Sequence, residues 1–254
     1  MEFFDSHCHL NDEKFDIDRE EIINTIYKDN ITRIVCAGYN LKSSLYAIEL
    51  SKMYDFIYTI VGISPNDIDE NTLKDINDIE KIANNSKVVA IGEIGLDYYW
   101  NKENKEIQKD IFKKQIEIAN KVNKPIVIHT RDAVMDTIEL LKQNHVNKKG
   151  IFHCCPLNPE LIKEGVKLGF YISFSGNITF KNAKAEEAIR EVPIDKILIE
   201  TDSPYLTPEP YRGKRNDPSK VKYVAEKIAF INNIKIDEIA KITYDNANRI
   251  FEIE

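Results

Sequence analysis

Short runs of β-branched and other apolar residues alternate with amphipathic stretches along the whole chain, and no linker, internal repeat or low-complexity segment interrupts them. That alternation predicts a parallel sheet whose strands are joined by crossover helices. Eight candidate strands can be placed, at residues 2–6, 33–37, 57–61, 88–92, 125–128, 150–152, 170–173 and 196–199. The run Pro125-Ile126-Val127-Ile128 is apolar throughout, as a strand buried on both faces should be. Between strands, Ile107, Ile111, Phe112, Ile116, Ala119 and Val122 recur at a helical period and predict one apolar stripe. Ile236, Ile239, Ala240, Ala247 and Ile250 predict a closing helix in the same way. An open doubly wound sheet is the competing arrangement. Eight strands in repeating order, with polar residues gathered at the strand ends, favour an α/β fold closed into a (β/α)8 TIM barrel. The 254 residues then form a single domain, 1–254, because such barrels take about 250 residues.

Composition narrows the function classes. With 43% hydrophobic and 30% charged residues the chain reads as globular, not disordered or fibrous. It has no apolar stretch of roughly 18 residues and no basic leader before Phe3-Phe4-Asp5, so a cytoplasmic protein with no membrane partner is expected. The four cysteines, Cys8, Cys36, Cys154 and Cys155, show no C-x-x-C spacing and are read as reduced thiols. A net charge of −7 argues against coating nucleic acid through bulk electrostatics, so any such contact must be local and helped by bound cations.

The chemistry-bearing residues fall where strands stop, the face on which barrel enzymes build their sites. His7 and His9 end the first strand as His-Cys-His, and strand alternation puts both imidazoles on one side with Cys8 on the other. Glu93 follows Val88-Val89-Ala90-Ile91-Gly92, His129 follows Ile128, His153 follows Phe152, and Asp202 follows the last strand. Any one buried histidine is more often a hydrogen-bonded core residue than a ligand. Six potential ligands on five strand ends are another matter: Glu93 and Asp202 would be costly to bury without a cation or partner. The set can serve two divalent metals that share a bridging carboxylate. The fifth histidine, His145, lies in a polar connection and is expected at the surface.

Phe4-Asp5-Ser6-His7-Cys8-His9-Leu10, Gly92-Glu93-Ile94-Gly95-Leu96-Asp97, Ile128-His129-Thr130-Arg131 and Glu200-Thr201-Asp202-Ser203-Pro204-Tyr205-Leu206 resemble the TatD family of metal-dependent deoxyribonucleases, within the amidohydrolase-like barrel superfamily. The likeness extends through Arg212-Gly213-Lys214-Arg215-Asn216 to Asn246-Ala247-Asn248-Arg249-Ile250-Phe251. The resemblance implies that His7, His9 and Asp202 hold one metal, that His129 and His153 hold another, and that Glu93 bridges them. It also implies hydrolysis of phosphodiesters, typically at DNA ends; the expected mechanism is attack by a metal-activated hydroxide, with Asp202 and Glu93 as catalytic groups. Zn, Mn or Mg would be the cofactor: imidazole-rich sites suit Zn, Mn or Fe, whereas the family is usually described as using Mg.

Two departures stand out. Gly62-Ile63-Ser64-Pro65-Asn66 replaces the family's Gly-Ile-His-Pro-His, so Ser64 and Asn66 cannot lend positive charge to a phosphate. His153-Cys154-Cys155-Pro156-Leu157 replaces His-Cys-Phe-Ser-Gly, and Cys155 is read as a small buried hydrophobe before an extra soft ligand. Arg131 and Arg212 are the expected phosphate-binding residues, since a guanidinium donates two parallel hydrogen bonds. Tyr98, Tyr99 and Trp100 either stack a terminal base or cover the barrel mouth. Glu200 shares strand parity with Asp202 and is expected to support the ligands from behind. The expected partner is DNA or a small phosphodiester bound by a monomer. A same-fold hydrolase of an amide, lactone or aminoacyl ester remains the alternative enzyme, and a binding module that keeps its ligands the non-catalytic one.

Overall fold

The computed structural model describes residues 1–254. Its strands are β1 (Phe3–Cys8), β2 (Ile31–Ala37), β3 (Ile57–Val61), β4 (Val88–Asp97), β5 (Ile126–Arg131), β6 (Gly150–Phe152), β7 (Tyr171–Phe174) and β8 (Ile197–Ile199). All neighbours pair in parallel in the order β1 to β8, as the strand count and order predict. The ring is closed by bonds at, and just past, the ends of β8 and β1. Ser6 Oγ donates to the Ile199 carbonyl at 2.9 Å, and the Asp202 and His9 amides donate to the His7 and Ser203 carbonyls at 3.0 and 2.7 Å. The result is a single-domain (β/α)8 barrel.

The helices are α1 (Arg19–Lys28), α2 (Leu41–Met53), α3 (Thr72–Ile82), α4 (Lys105–Val122), α5 (Val134–Gln143), α6 (Pro159–Lys167), α7 (Ala185–Arg190), α8 (Val221–Asn232) and α9 (Ile236–Phe251). None is long and apolar enough to cross a membrane. In α4, Ile111, Phe112, Ile116 and Ala119 are buried against the barrel, as their spacing requires. Ile107 departs from the expected stripe and is exposed, while its neighbour Gln108 is buried against Asp97 of β4.

Strand alternation divides the core in two. One layer lies between strands and helices. The other is the barrel interior, to which every strand contributes: Phe4, Val35, Ile60, Ala90, Val127, Ile151, Tyr171 and Leu198 all belong to it. At the end away from the strand C-termini, α9 seals this interior with Ala247, Ile250 and Phe251, the Phe4 ring lying 6.0 Å from Phe251 and 5.7 Å from Tyr244.

That interior parity decides which side chains reach the other mouth. Val127 leads by twos to His129, Ile151 to His153, and Leu198 to Glu200 and Asp202. Phe4 to His7 and Ala90 to Glu93 are odd steps, and unbroken alternation would turn both ligands outward. Each is corrected by an irregularity in pairing, between Asp5 and Cys8 in β1 and between Ile91 and Ile94 in β4. Bulges of this kind re-aim a side chain at the cost of a local break in the ladder. They also explain why β4 and β5 run past the expected ends at 92 and 128: β4 resumes pairing beyond Glu93, joining Gly95 to His129 and Asp97 to Arg131.

Candidate metal centre

Six side chains from five strand ends meet at the mouth. His7 Nε2 and His9 Nε2 stand 3.3 Å apart, and Asp202 Oδ1 lies 3.4 Å from His9 Nε2 and 3.9 Å from His7 Nε2. Glu93 Oε2 is 3.8 Å from each of these two nitrogens. Its other oxygen, Oε1, faces the second pair, 3.0 Å from His129 Nδ1 and 3.2 Å from His153 Nε2, which are themselves 3.3 Å apart. One carboxylate therefore divides its oxygens between two pairs of imidazoles. Ligands about 2.0–2.1 Å from a tetrahedral ion lie about 3.3–3.4 Å from one another, so both groupings fit a small divalent cation. His7, His9 and Glu93, and again Glu93, His129 and His153, bring their ligand atoms within 4.8 Å of one another.

A family model described as TatD related DNase matches residues 4–252. The chain belongs to this family. It is 47% identical over 252 residues to a Bacillus subtilis (strain 168) protein named an uncharacterized metal-dependent hydrolase, YabD, the match covering 98% of this chain and 99% of that one. It is 38% identical to YcfH of Escherichia coli (strain K12), named likewise, over 100% of this chain and 97% of the relative. Among solved structures, the YJJV TatD homolog of Escherichia coli K12 superposes with a TM-score of 0.92 at 24% identity, covering 99% of this chain and 98% of the other, which shows the shared fold.

Behind the cluster, His9, His129 and His153 each face a partner on the far side of the ring, whereas His7 Nδ1 is buried without one. His9 Nδ1–H donates to the Ala37 carbonyl at 3.1 Å, leaving Nε2 as the free nitrogen. His129 Nε2–H donates to Asp97 Oδ2 at 2.9 Å, leaving Nδ1 toward Glu93. His153 Nδ1 lies 3.6 Å from Glu200 Oε1, which also accepts the Cys154 amide at 2.6 Å. Glu200 is fully buried and within ligand reach of His7 as well, as its parity with Asp202 predicts. The amide nitrogens of Tyr99 and Trp100 bond the other oxygen of Asp97, and Asn66 Nδ2 bonds the Oδ2 that holds His129. These outer partners fix tautomer and ring orientation, which is what a metal site requires of them.

Electrostatics follow from packing ionisable groups into a buried space. Burial alone would raise the Glu93 carboxyl, but the charge of His153 and bonds from His129 and His153 hold it well below its ordinary value. Burial opposes charge on His153, and nearby Glu93 and Glu200 outweigh it to push the imidazole well upward. His129 is likewise raised against burial, by Asp97 and Glu93, and His9 by Asp202. His7 moves the other way, lowered by burial and by repulsion from His153 and His9. Asp97 is drawn down to about 2: burial opposes this, but the bonds from His129 and the Trp100 amide prevail. A proton on any of these ligating nitrogens would compete with a metal for it, so the shifts couple metal affinity to pH.

The rim differs from expectation in places. Arg131 is exposed, its guanidinium 3.8 Å above the Tyr99 ring and 5.5 Å from that of Trp100. Arg212 stacks on Phe180 at 4.2 Å and touches none of the six ligands. Arg215, read as part of the same basic loop, instead pairs with Asp18 and donates to the Lys14 carbonyl, so it pins the loop to the β1–α1 connection. Tyr98 is buried with its hydroxyl on Asp136, whereas Tyr99 and Trp100 are exposed. Cys155 is buried in the outer core, and all four cysteines are free thiols. His145 is exposed. Sequence reasoning did not single out Asp97 or Asn66 as site residues. Asp97 has the signal that could have found it, a carboxylate at the end of the same strand as Glu93.

Proposed function

We propose that this chain is a metal-dependent hydrolase that cleaves phosphodiester bonds at DNA ends. His7, His9 and Asp202 hold one divalent ion, His129 and His153 a second, and Glu93 lies between them. The observation that carries this reading is the division of the Glu93 oxygens between two imidazole pairs. The names of YabD and YcfH support metal-dependent hydrolysis, and the description of the family model supports a nucleic-acid substrate. When bound, such ions polarise a phosphoryl oxygen and bring the pKa of water toward neutrality. Zn or Mn suits the four nitrogens better than Mg, which prefers oxygen.

The remaining work falls to this chain's own groups. Asp202 has its side chain 14% exposed, more than Glu93 at 9%, so it can both reach an ion and turn an oxygen toward water arriving from the mouth. It orients that water and takes its proton. Arg131, steadied on Tyr99, donates paired hydrogen bonds to the phosphate and offsets charge developing on it. Arg212 serves the more distant part of the strand. One observation favours a second reading, hydrolysis of an amide, lactone or aminoacyl ester: Ser64 and Asn66 leave the mouth without the charge that imidazoles would bring, on a chain of net charge −7.

The deciding assay offers metal-loaded protein single-stranded DNA, double-stranded DNA, a small phosphodiester and an aminoacyl ester. Turnover of DNA with release of nucleotides, abolished by chelation, is the expected result. Turnover of the ester alone would overturn it. Asp202→Asn should lower kcat at least a hundredfold with metal retained, and near-normal turnover would remove Asp202 from the proton-accepting role.

A further inference from the structure

Beside the metal centre lies an open pocket of about 400 Å³, lined by Pro65, Asn66, Ile68, Trp100, Asn101 and Asn104. We propose that it is a nucleobase subsite, which receives the base of the nucleotide whose phosphodiester bond is cleaved. This deepens the phosphodiesterase reading and rests on it for the identity of the attached group.

Position comes first. Asn66 forms part of the wall, and its amide nitrogen bonds the same Asp97 oxygen that holds His129, at 3.1 and 2.9 Å. The pocket is therefore separated from a candidate ligand by a single bridging side chain. Arg131, paired across the sheet with Asp97, stands over Tyr99 and close to Trp100, on the same side of the mouth. A nucleotide with its phosphate on Arg131 and the metal ligands would have its base directed to the side of the mouth where Trp100 and Asn66 stand.

The lining chemistry then selects the ligand. None of the six residues is ionisable, so the pocket suits a neutral group rather than a phosphate. Three are asparagines with amide atoms left over. Asn66 spends its Nδ2 on Asp97, Asn101 spends Oδ1 on the amides of Glu103 and Asn104, and Asn104 spends Oδ1 on Gln108. That leaves one acceptor, Asn66 Oδ1, and two donors, Asn101 Nδ2 and Asn104 Nδ2. The edge of a base offers the complementary mixture. Trp100 is 68% exposed, and an indole face open to water beside donors and acceptors is the surface on which bases stack. A volume near 400 Å³ falls in the range of small-molecule sites, about 300–1,000 Å³. The amide of Asn66 can read a base edge without adding charge.

Trp100 is the only tryptophan of the chain, so its fluorescence comes from one place, between this pocket and Arg131, and the baseless phosphate control separates the two. Deoxynucleosides and deoxynucleoside monophosphates are titrated into the full-length protein, with 2-deoxyribose 5-phosphate as the baseless control. Saturable quenching by the base-bearing compounds, absent with the control, is expected. No quenching, or equal quenching by the control, overturns the subsite. In DNA hydrolysis, Trp100→Ala should raise KM about tenfold with kcat held, Trp100→Phe should restore most of the loss, and an abasic end should be cleaved alike by all three. Loss of kcat with unchanged KM would also overturn it. Nucleoside quenching does not depend on turnover: a protein that binds nucleosides but leaves DNA intact refutes the nuclease reading alone, and one that cleaves DNA without quenching refutes the subsite alone.

Discussion

Replacing Asp97 with Asn tests whether the far side of an imidazole governs what its near side can hold. Asp97 Oδ1 accepts the amides of Tyr99 and Trp100 at 2.9 and 3.1 Å, and an asparagine oxygen can keep both. The new amide nitrogen then stands where Oδ2 was, facing His129 Nε2–H and Asn66 Nδ2, two donors with no acceptor between them. The conflict is relieved when the His129 proton moves to Nδ1, the nitrogen 3.0 Å from Glu93 Oε1, and a protonated Nδ1 cannot ligate. A hydrogen bond to a charged acceptor contributes about 1.5–3 kcal/mol. Loss of an outer partner of a metal-bound histidine weakens binding about 10–100-fold, or about 1.4–2.7 kcal/mol, so two independent scales agree. Titration of the demetallated variant with Zn(II) should show the site of His129 and His153 weakened by that factor, and the site of His7, His9 and Asp202 changed by less than about threefold. Nitrogen-15 NMR of labelled histidine should find the His129 proton on Nε2 in the parent and on Nδ1 in the variant. Two sites of parental affinity, or an unchanged tautomer, would refute the reasoning.

Other outcomes follow from the same geometry. The metal-free protein should lose stability as pH rises through and above neutrality: His9, His129 and His153 have raised folded values, so their contribution is complete below about 6.5 and lost as pH passes those values. His7, shifted the other way, opposes them in part, and metal loading should flatten the profile; melting with and without chelator from pH 5 to 9 reads both effects. Glu200→Gln keeps volume and an acceptor for the Cys154 amide but removes the charge facing His153, so metal affinity should drop roughly tenfold by chelator competition. Gly95→Ala should cost roughly 3 kcal/mol or more in urea unfolding, because Gly95 has φ +142° and an added Cβ would fall 1.9 Å from the His129 carbonyl oxygen.

The barrel was legible because strands and helices alternate in the order of apolar residues along the chain, and the six ligands because each sits within a few residues of a strand's end. What stayed hidden depends on register. His7 lies three residues after Phe4 and Glu93 three after Ala90, and nothing in either stretch announces the bulge that turns them inward. The ligand set itself held the clue: His129, His153 and Asp202 agree in parity with interior residues of their strands, while His7 and Glu93 do not. Partners set by tertiary approach were equally hidden. Arg215 and Arg212 look alike in sequence, yet one pairs with Asp18 and the other stacks on Phe180, a choice made by loops far apart in the chain.

Asn66 shows how a loss of charge at the mouth can leave the metal centre intact. A protonated imidazole beside Asp97 would share the carboxylate's charge and weaken its pull on His129 Nε2–H. The neutral amide of Asn66 donates to the same oxygen at 3.1 Å without neutralising it, and Asp97 remains well ionised, drawn down to about 2 against burial by the His129 and Trp100 bonds with help from Asn66. The full charge then acts on His129, which becomes the better donor to an ion through Nδ1. Attraction for a phosphate is surrendered where Arg131 already supplies it, and the carbonyl oxygen of the amide is released into a neutral pocket beside Trp100. Asn66→His should therefore make substrate affinity pH-dependent near neutrality while lowering metal affinity below the imidazole's pKa, and a variant that binds metal identically at pH 6 and 8 would show that Asp97 does not transmit the change.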